Sequence, residues 1–591
     1  MFKKYVKPYT RDIIINAIIK IAGNMFEVTL PAIMAYMIDK LLPQKDRTAV
    51  LIAGLIMVLF SLFSWIGNIT ANRMASRTSS RIVKAIRHDL FSRAMNLSAR
   101  QIDRFTISSL ETRLTTDTYN IHTFLGVSLR MGIRSTMLFM GGVIFCLVLD
   151  WRLTLVLLFM VPLIFLLIRS VFNGVFSKFR SLQAKVDDMV QIIRENIRGI
   201  RVSKAMDKTE YEMGRYAERN EAVRAAEIDV TDHMSILGPA VNTILFSGQA
   251  AVIAFGAILA MNGEVEAGVI TAFLTYFIQI ANSLMAMNRM IDIYSRARTS
   301  ADRISEILNA PLDENQIIHE PRVDVLPEAS PEVPDIEFKN VTFSYDGANS
   351  EGSEIKNVSF KLYPGETLGI MGTTGAGKST IIRLLLRLYD PQEGEILLRG
   401  VNIKQIPAKV LHEIFGIVLQ NDFVFGGTIE NNIKFGRELD DEEIFEATEY
   451  AQAQEFISAK DEGLDHKLAS RGVNLSGGQK QRVLLSRALA GNPEVIILDD
   501  SSSALDFATD AKLRKALSEN FTSTTSFIIA QRVSSVMHAE QIIVMEFGKI
   551  LAKGTHEELL ETCPSYKEIA EMQLGGGDVD FDSLFTLKEE K

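Results

Sequence analysis

Cysteine is nearly absent. The two present, Cys146 in an apolar run and Cys563 near the C-terminus, supply neither a disulfide framework nor a thiolate metal spacing, and they leave the redox compartment open. An excess of basic charge is also lacking: the formal net charge is −9, which excludes the electropositive surface of a general nucleic-acid binder. No small-residue cleavage site follows the basic start MFKKYVKPYT, and Lys20 and Glu27 interrupt the apolar stretch behind it. An uncleaved membrane helix is therefore expected there rather than a signal peptide. Tandem repeats are lacking too, so each domain is expected once.

What is present points two ways at once. Hydrophobic residues make up 47 % of the 591, yet 23 % are charged, as in a lipid-embedded part fused to a water-exposed part. Spanning a bilayer takes about 20 mostly apolar residues. No charge occurs across Thr48–Asn72, Met234–Gly263 or Ala267–Asn288. Ser135–Leu149 and Leu153–Ile168 flank the tight turn Asp150-Trp151-Arg152 and read as a helical hairpin. With residues 12–42 counted despite Lys20 and Glu27, six spans are expected. The loops alternate short and long. The long ones, about 73–130 and 170–232, contain no proline and are helical in pattern, and nine Arg and Lys residues lie between 73 and 113. The positive-inside rule places these loops and both termini in the cytoplasm of a multi-pass cell-membrane protein.

Pro311, Pro321, Pro327, Pro331 and Pro334 punctuate an acidic stretch, and short β-rich runs alternating with helical ones follow it. The expected division is an all-α six-helix membrane bundle over 1–310, a linker over 311–334, an α/β nucleotide-binding domain over 335–574 and a flexible acidic tail over 575–591.

Gly372-Thr373-Thr374-Gly375-Ala376-Gly377-Lys378-Ser379-Thr380 fits the phosphate-binding loop G-x-x-x-x-G-K-[ST]. Its glycines let backbone N–H groups close around phosphates at a helix N-terminus, Lys378 neutralises them, and Ser379 offers a hydroxyl to Mg²⁺. Val495–Asp499 reads as a buried strand ending in a carboxylate that also serves Mg²⁺. Leu475-Ser476-Gly477-Gly478-Gln479 follows about a hundred residues after the loop, and with it the chain resembles the fused ABC exporters. The resemblance implies that ATP is bound, and that Ser476, Gly477, Gly478 and Gln479 cap the γ-phosphate of ATP held by an opposite subunit. It further implies that Tyr345 stacks on adenine, Gln420 senses Mg²⁺, and Asp506 in Ser503-Ala504-Leu505-Asp506 lies where the two nucleotide domains meet. Residues about 108–118 and 203–212 match the family's two intracellular coupling helices.

Two positions depart from that pattern. The family's general base is a glutamate directly after the Mg²⁺-binding aspartate, and here it is Asp500; the family's switch histidine is here Gln531. The aspartate is one methylene shorter, and glutamine cannot share a proton as imidazole does. The pair resembles the degenerate subunit of a heterodimeric bacterial multidrug exporter, whose partner is a second exporter half with a consensus site. The expected substrate is an amphipathic small molecule. A lipid or peptide exporter half, or a nucleotide-sensing regulatory subunit, is the alternative. Glu27 stands mid-span, at a cost of about 2.5–3.5 kcal/mol on insertion scales, and reads equally as a contact for cationic substrate or as a structural carboxylate. Met285, Met287, Met290, Phe273, Tyr276 and Phe277 read as helix packing more than as a soft ligand surface.

Overall fold

A computed structural model describes residues 2–345, 354–420 and 422–574; the acidic tail expected over 575–591 lies outside the described residues. The chain divides into two compact units, one of residues 1–95 and 108–310, the other of 96–107 and the residues from Pro311 onward.

The first unit is all-α. Six helical segments are long and apolar enough to cross a membrane: Lys3–Leu41, Arg47–Met95, Ile107–Leu149, Trp151–Ala205, Thr209–Met261 and Ala267–Leu308. The fourth has 55 residues, roughly 80 Å at 1.5 Å per residue, well over the roughly 30 Å of a hydrocarbon core. The expected 149–152 hairpin closes as the sequence suggests. Asp150 leaves the helical region, and its carboxylate accepts hydrogen bonds from the backbone of Arg152 and Leu153, capping the next helix. The unit's core gathers Val28, Leu138, Cys146, Leu157, Phe273, Tyr276 and Phe277. Those three aromatics are thus packing residues, and the Tyr276 hydroxyl donates to the Val28 carbonyl at 2.7 Å.

The second unit is α/β. Its central sheet runs, in order, Lys549–Gly554, Gln541–Glu546, Thr367–Gly372, Thr525–Ile529, Val495–Asp499 and Phe415–Val418. The last five are mutually parallel and the first is antiparallel to its neighbour. Leu368–Met371 and Val495–Leu498 read as apolar runs because helices cover both faces of a parallel sheet. A smaller antiparallel sheet is built from Ile355–Leu362, Ile336–Phe343, Glu393–Leu398 and Val401–Asn402.

Two segments sit differently from the sequence reading. The coupling helix expected at 108–118 corresponds to the opening turns of the third span. Residues 96–107 instead pack with the second unit, through Ser98 Oγ to Asp313 at 2.6 Å and the Tyr389 hydroxyl to Asp103 at 2.5 Å. There Ser98 and Gln101 form a reciprocal capping box that starts the short helix Ala99–Phe105, and Thr106, at φ +62°, ends it. The expected linker is not free chain: His319 and Val323 donate backbone hydrogen bonds to Lys404 and Gln405 at 2.9 and 3.0 Å.

The two sheets of the second unit are tied by Asp335, which is 1 % exposed. Its carboxylate accepts from Arg399 Nε at 2.7 Å and from Thr525 Oγ1 at 2.6 Å. Asp335→Ala leaves a buried guanidinium without half its counter-charge and a buried hydroxyl without its acceptor. We expect a loss of about 3 kcal/mol, seen in calorimetry of the full chain as a lowered transition for this unit alone.

Candidate functional site

Strand register builds the site. Ile529 pairs with Ile370 on one side and with Asp499 on the other, so these three residues stand at one level near the carboxyl ends of three parallel strands. Ligands of open α/β sheets sit beyond such carboxyl ends. The loop from Gly372 leaves there and enters the helix Lys378–Leu385. Gly372 has φ +146°, and a Cβ on it would lie 2.2 Å from the Met545 carbonyl; Gly377 has φ +97°, and a Cβ would lie 2.6 Å from the Glu354 carbonyl. No other residue type fits either place without moving backbone. Thr373, Thr374 and Gly375 form the exposed crest of the loop, and Ala376 is buried beneath it.

Five polar side chains meet at this edge. Lys378 Nζ donates to the carbonyls of Gly372 and Thr373 at 2.8 and 2.9 Å, which aims it across the loop. Ser379 Oγ donates to Asp499 Oδ2 at 2.8 Å. Gln531 Nε2 donates to Asp500 Oδ2 at 3.2 Å, and Asp500 itself has φ +52°. Burial pushes both aspartate carboxyls up, against the pull of Ser379 and Lys378 on Asp499 and of Lys378 and Arg532 on Asp500. Burial in turn lowers the Lys378 ammonium, with both carboxylates opposing that shift. An oxygen pair of hydroxyl and carboxylate 2.8 Å apart suits a hard divalent cation such as Mg²⁺. Gln420 is exposed, just past the strand Phe415–Val418.

Tyr345 is positioned by residues that sequence reasoning missed. Its hydroxyl lies 3.3 Å from Thr380 Oγ1 and accepts from Arg383 Nη1 at 2.9 Å, and its N–H donates to Glu354 at 3.1 Å. Phe343 and Tyr389 meet its ring edge-on at 4.9 and 5.1 Å. Gln573 is a second omission: it donates to the Gln531 carbonyl at 2.9 Å and accepts from Val533 N at 2.7 Å, clamping the loop that carries Gln531. Arg383 and Gln573 carry no local signal, because both act from distant parts of the chain.

The second group stands apart. Ser476 caps the helix Gly477–Leu489 through a reciprocal box with Gln479, at 3.3 and 3.1 Å, and Ser476 and Gly477 are exposed. Gly478 lies under the Ala504 carbonyl, and Asp506 caps the helix Phe507–Asn520 by accepting from Thr509 N at 2.9 Å. Among the described residues no hydrogen bond joins Ser476–Gln479 to the phosphate loop. Two sets of backbone donors at helix N-termini are thus offered, on separate parts of one unit.

Comparison with known proteins agrees with this geometry. Residues 13–284 match the ABC transporter transmembrane region, and residues 355–503 match the ABC transporter family. The "Uncharacterized ABC transporter ATP-binding protein YfiB" of Bacillus subtilis (strain 168) is 33 % identical over 582 residues, 97 % of this chain and 98 % of its own. The "Putative multidrug export ATP-binding/permease protein YgaD" of the same organism is 29 % identical, again over 97 % and 98 %. A bacterial Atm1-family ABC exporter solved with ATP bound superposes with TM-score 0.76 at 23 % identity, over 96 % of this chain and 98 % of that one; that likeness is one of fold.

The geometry makes nucleotide binding by this chain testable. Tyr345→Ala should weaken ATP binding about tenfold, the worth of one good aromatic contact. Lys378→Ala should weaken it about a hundredfold, by removing a charged donor from the phosphates. Titration of the full chain with a fluorescent ATP analogue checks both, and an unchanged affinity in Lys378→Ala would disprove the assignment of the loop.

Proposed function

Because the chain belongs to the ABC transporter family, with membrane region and ATP-binding domain in one polypeptide, we propose that it is the slow-hydrolysing half of a heterodimeric exporter for amphipathic small molecules. The observation that carries this reading is the Gln531–Asp500 hydrogen bond of 3.2 Å at the edge where chemistry would occur. A glutamate and a histidine at these two positions could take a proton from water and hold it. Here a short carboxylate is tied to a neutral amide that has no titratable proton to exchange.

The binding apparatus, by contrast, is complete. Lys378 and the loop amides cradle phosphates, Tyr345 supplies a ring for the base, and Ser379 and Asp499 would hold Mg²⁺, with Gln420 at its outer side. Mg²⁺, when bound, offsets the charge that builds on the transferring phosphoryl group. Asp500 is the remaining candidate base and Gln531 its orienting neighbour. Ser476, Gly477, Gly478, Gln479 and Asp506 are presented outward, as a partner's nucleotide would require. A partner with a consensus site would therefore hydrolyse against this chain's Ser476, while this chain's own site holds its nucleotide for longer. The "multidrug export" description of YgaD supports an amphipathic substrate class.

In the assembled heterodimer, Asp500→Asn should lower steady-state ATPase less than about threefold, since the carboxylate replaced is already a poor base. Ser476→Arg should lower it by about a hundredfold or more, by filling the place where the partner's γ-phosphate docks. Loss of the partner's catalytic glutamate should equal Ser476→Arg, and the two together should add little. If Asp500→Asn is as damaging as Ser476→Arg, the chain is an ordinary homodimeric exporter instead.

The same reading sets the orientation. Cysteines introduced at Gln44 and Asn262, in the short exposed turns, should react with an impermeant maleimide on intact cells. Cysteines at Asp207 and Ser476 should react only after the membrane is opened. Labelling of either of the latter from outside would invert the topology.

A further inference from the structure

The first span carries a polar stripe that an apolar bundle does not explain. Asn16, Lys20 and Asn24 recur every four residues on one face, and all three are 2 % exposed or less. Lys20 Nζ donates to Asn72 Oδ1 on the second span at 2.9 Å, a neutral partner that leaves the charge unanswered. Glu27 is within electrostatic reach of Lys20, but its carboxylate is engaged by Arg134 Nη2 of the third span at 2.6 Å. Arg130 lies within the same reach. Asp292, on the sixth span, pairs with its own Arg296 at 2.6 Å. The cluster thus sets three cations, Lys20, Arg130 and Arg134, against one carboxylate, Glu27.

Buried polar atoms point into the same region. Among the described residues, both amide atoms of Asn24, fully buried, have no hydrogen-bond partner; Asn16 and Asn68 donate through Nδ2 to Ala71 and Ser64, but their Oδ1 atoms have none. Asn68 faces this stripe: a Cβ on Gly23, next to Asn24, would lie 3.5 Å from the Asn68 backbone. The stripe from Asn16 to Glu27 covers about 16 Å along the helix. Its root is sealed at Lys20, and its other end is open, with Arg134 48 % and Glu27 29 % exposed at their side chains. An uncompensated cation and unpaired amides inside a membrane bundle are expensive and mark a functional site.

We propose that this cluster binds the anionic head of an amphiphile, a carboxylate, sulfate or phosphate on an apolar tail, and so makes acidic amphiphiles the exported class. The inference rests on the exporter reading and narrows it. The head displaces Glu27 as the counter-charge of Arg134 and supplies the anion that Lys20 lacks; the tail follows the apolar walls of the bundle. Glu27 is on this account a competitor for the substrate's place and not a contact for cationic drugs.

The test uses the full chain with its partner in nanodiscs, without ATP, and measures equilibrium binding of dodecyl phosphate, dodecyltrimethylammonium and inorganic phosphate. Dodecyl phosphate should bind at least about tenfold tighter than either of the others, the worth of one charge-assisted contact. Lys20→Met and Arg134→Gln should each remove most of that preference, whereas Glu27→Gln should strengthen dodecyl phosphate binding about threefold. If Lys20→Met fails to assemble, Arg134→Gln, on the exposed rim, decides alone. Tighter binding of dodecyltrimethylammonium, a preference that survives Arg134→Gln, or weaker dodecyl phosphate binding in Glu27→Gln would overturn the proposal. Inorganic phosphate binding as tightly as dodecyl phosphate would overturn it in favour of a free-anion site. ATP-driven uptake into inverted vesicles is read separately: its absence with the binding preference intact would sink the exporter reading and leave the anion site standing.

Discussion

The hydrogen bond from Ser379 to Asp499 is the contact on which the nucleotide-binding unit turns. It joins the first turn of a helix to the end of a strand two places across the sheet, and it forms where Asp499 stands level with Ile370 on the two parallel strands flanking Thr525–Ile529. A slip of one residue would turn Asp499 to the opposite face of the sheet and separate it from Ser379. The apolar, buried runs Leu368–Met371 and Val495–Leu498, with helices packed on both faces, fix that register through burial. Asp335, bonded to Arg399 and Thr525, then locks the smaller sheet to the same strand.

Legibility in the sequence followed the range of the interactions. The phosphate loop, the strand before Asp499 and the capping box at Ser476 are local, and their spacing states their geometry. The membrane spans are legible for the same reason, since twenty apolar residues in a row have few other uses. The short helix Ala99–Phe105 was also written locally, as Ser98 followed three residues on by Gln101. The resemblance alone places the coupling segment about ten residues later, at 108–118. Tyr345's support from Arg383 and the clamp at Gln573 come from distant parts of the chain. Nothing near Tyr345 or Gln531 announces them.

Glu27 shows the limit most clearly. Read along the chain, it is a lone acid mid-span that suits a cationic ligand and a structural carboxylate equally. Its partner, Arg134, lies 107 residues away on another helix. Lys20 looked like a mere interruption of an apolar run, although it is 2 % exposed and held by Asn72. Charge sign in a membrane bundle is a property of facing helices, and a linear reading sees only one of them at a time.

The two polar regions of the chain obey one rule. At the phosphate loop, burial lowers the Lys378 ammonium, with two nearby carboxylates opposing that shift, at the place where an anionic phosphate would need its charge. In the membrane unit, three cations share one carboxylate, and the buried Asn24 amide beside them has no hydrogen-bond partner among the described residues. In each case the protein holds positive charge and donors against a desolvation cost that folding alone does not recover. Such a cost persists where a ligand returns it on binding. At the phosphate loop the returning group is a nucleotide, and on the proposed reading of the membrane unit it is the substrate itself. Binding there would exchange the Arg134–Glu27 contact, which joins the first and third spans, for contacts to a mobile anion. The arrangement of those two helices would then depend on whether substrate is present, which is the kind of differential contact that coupling to a distant ATP site requires.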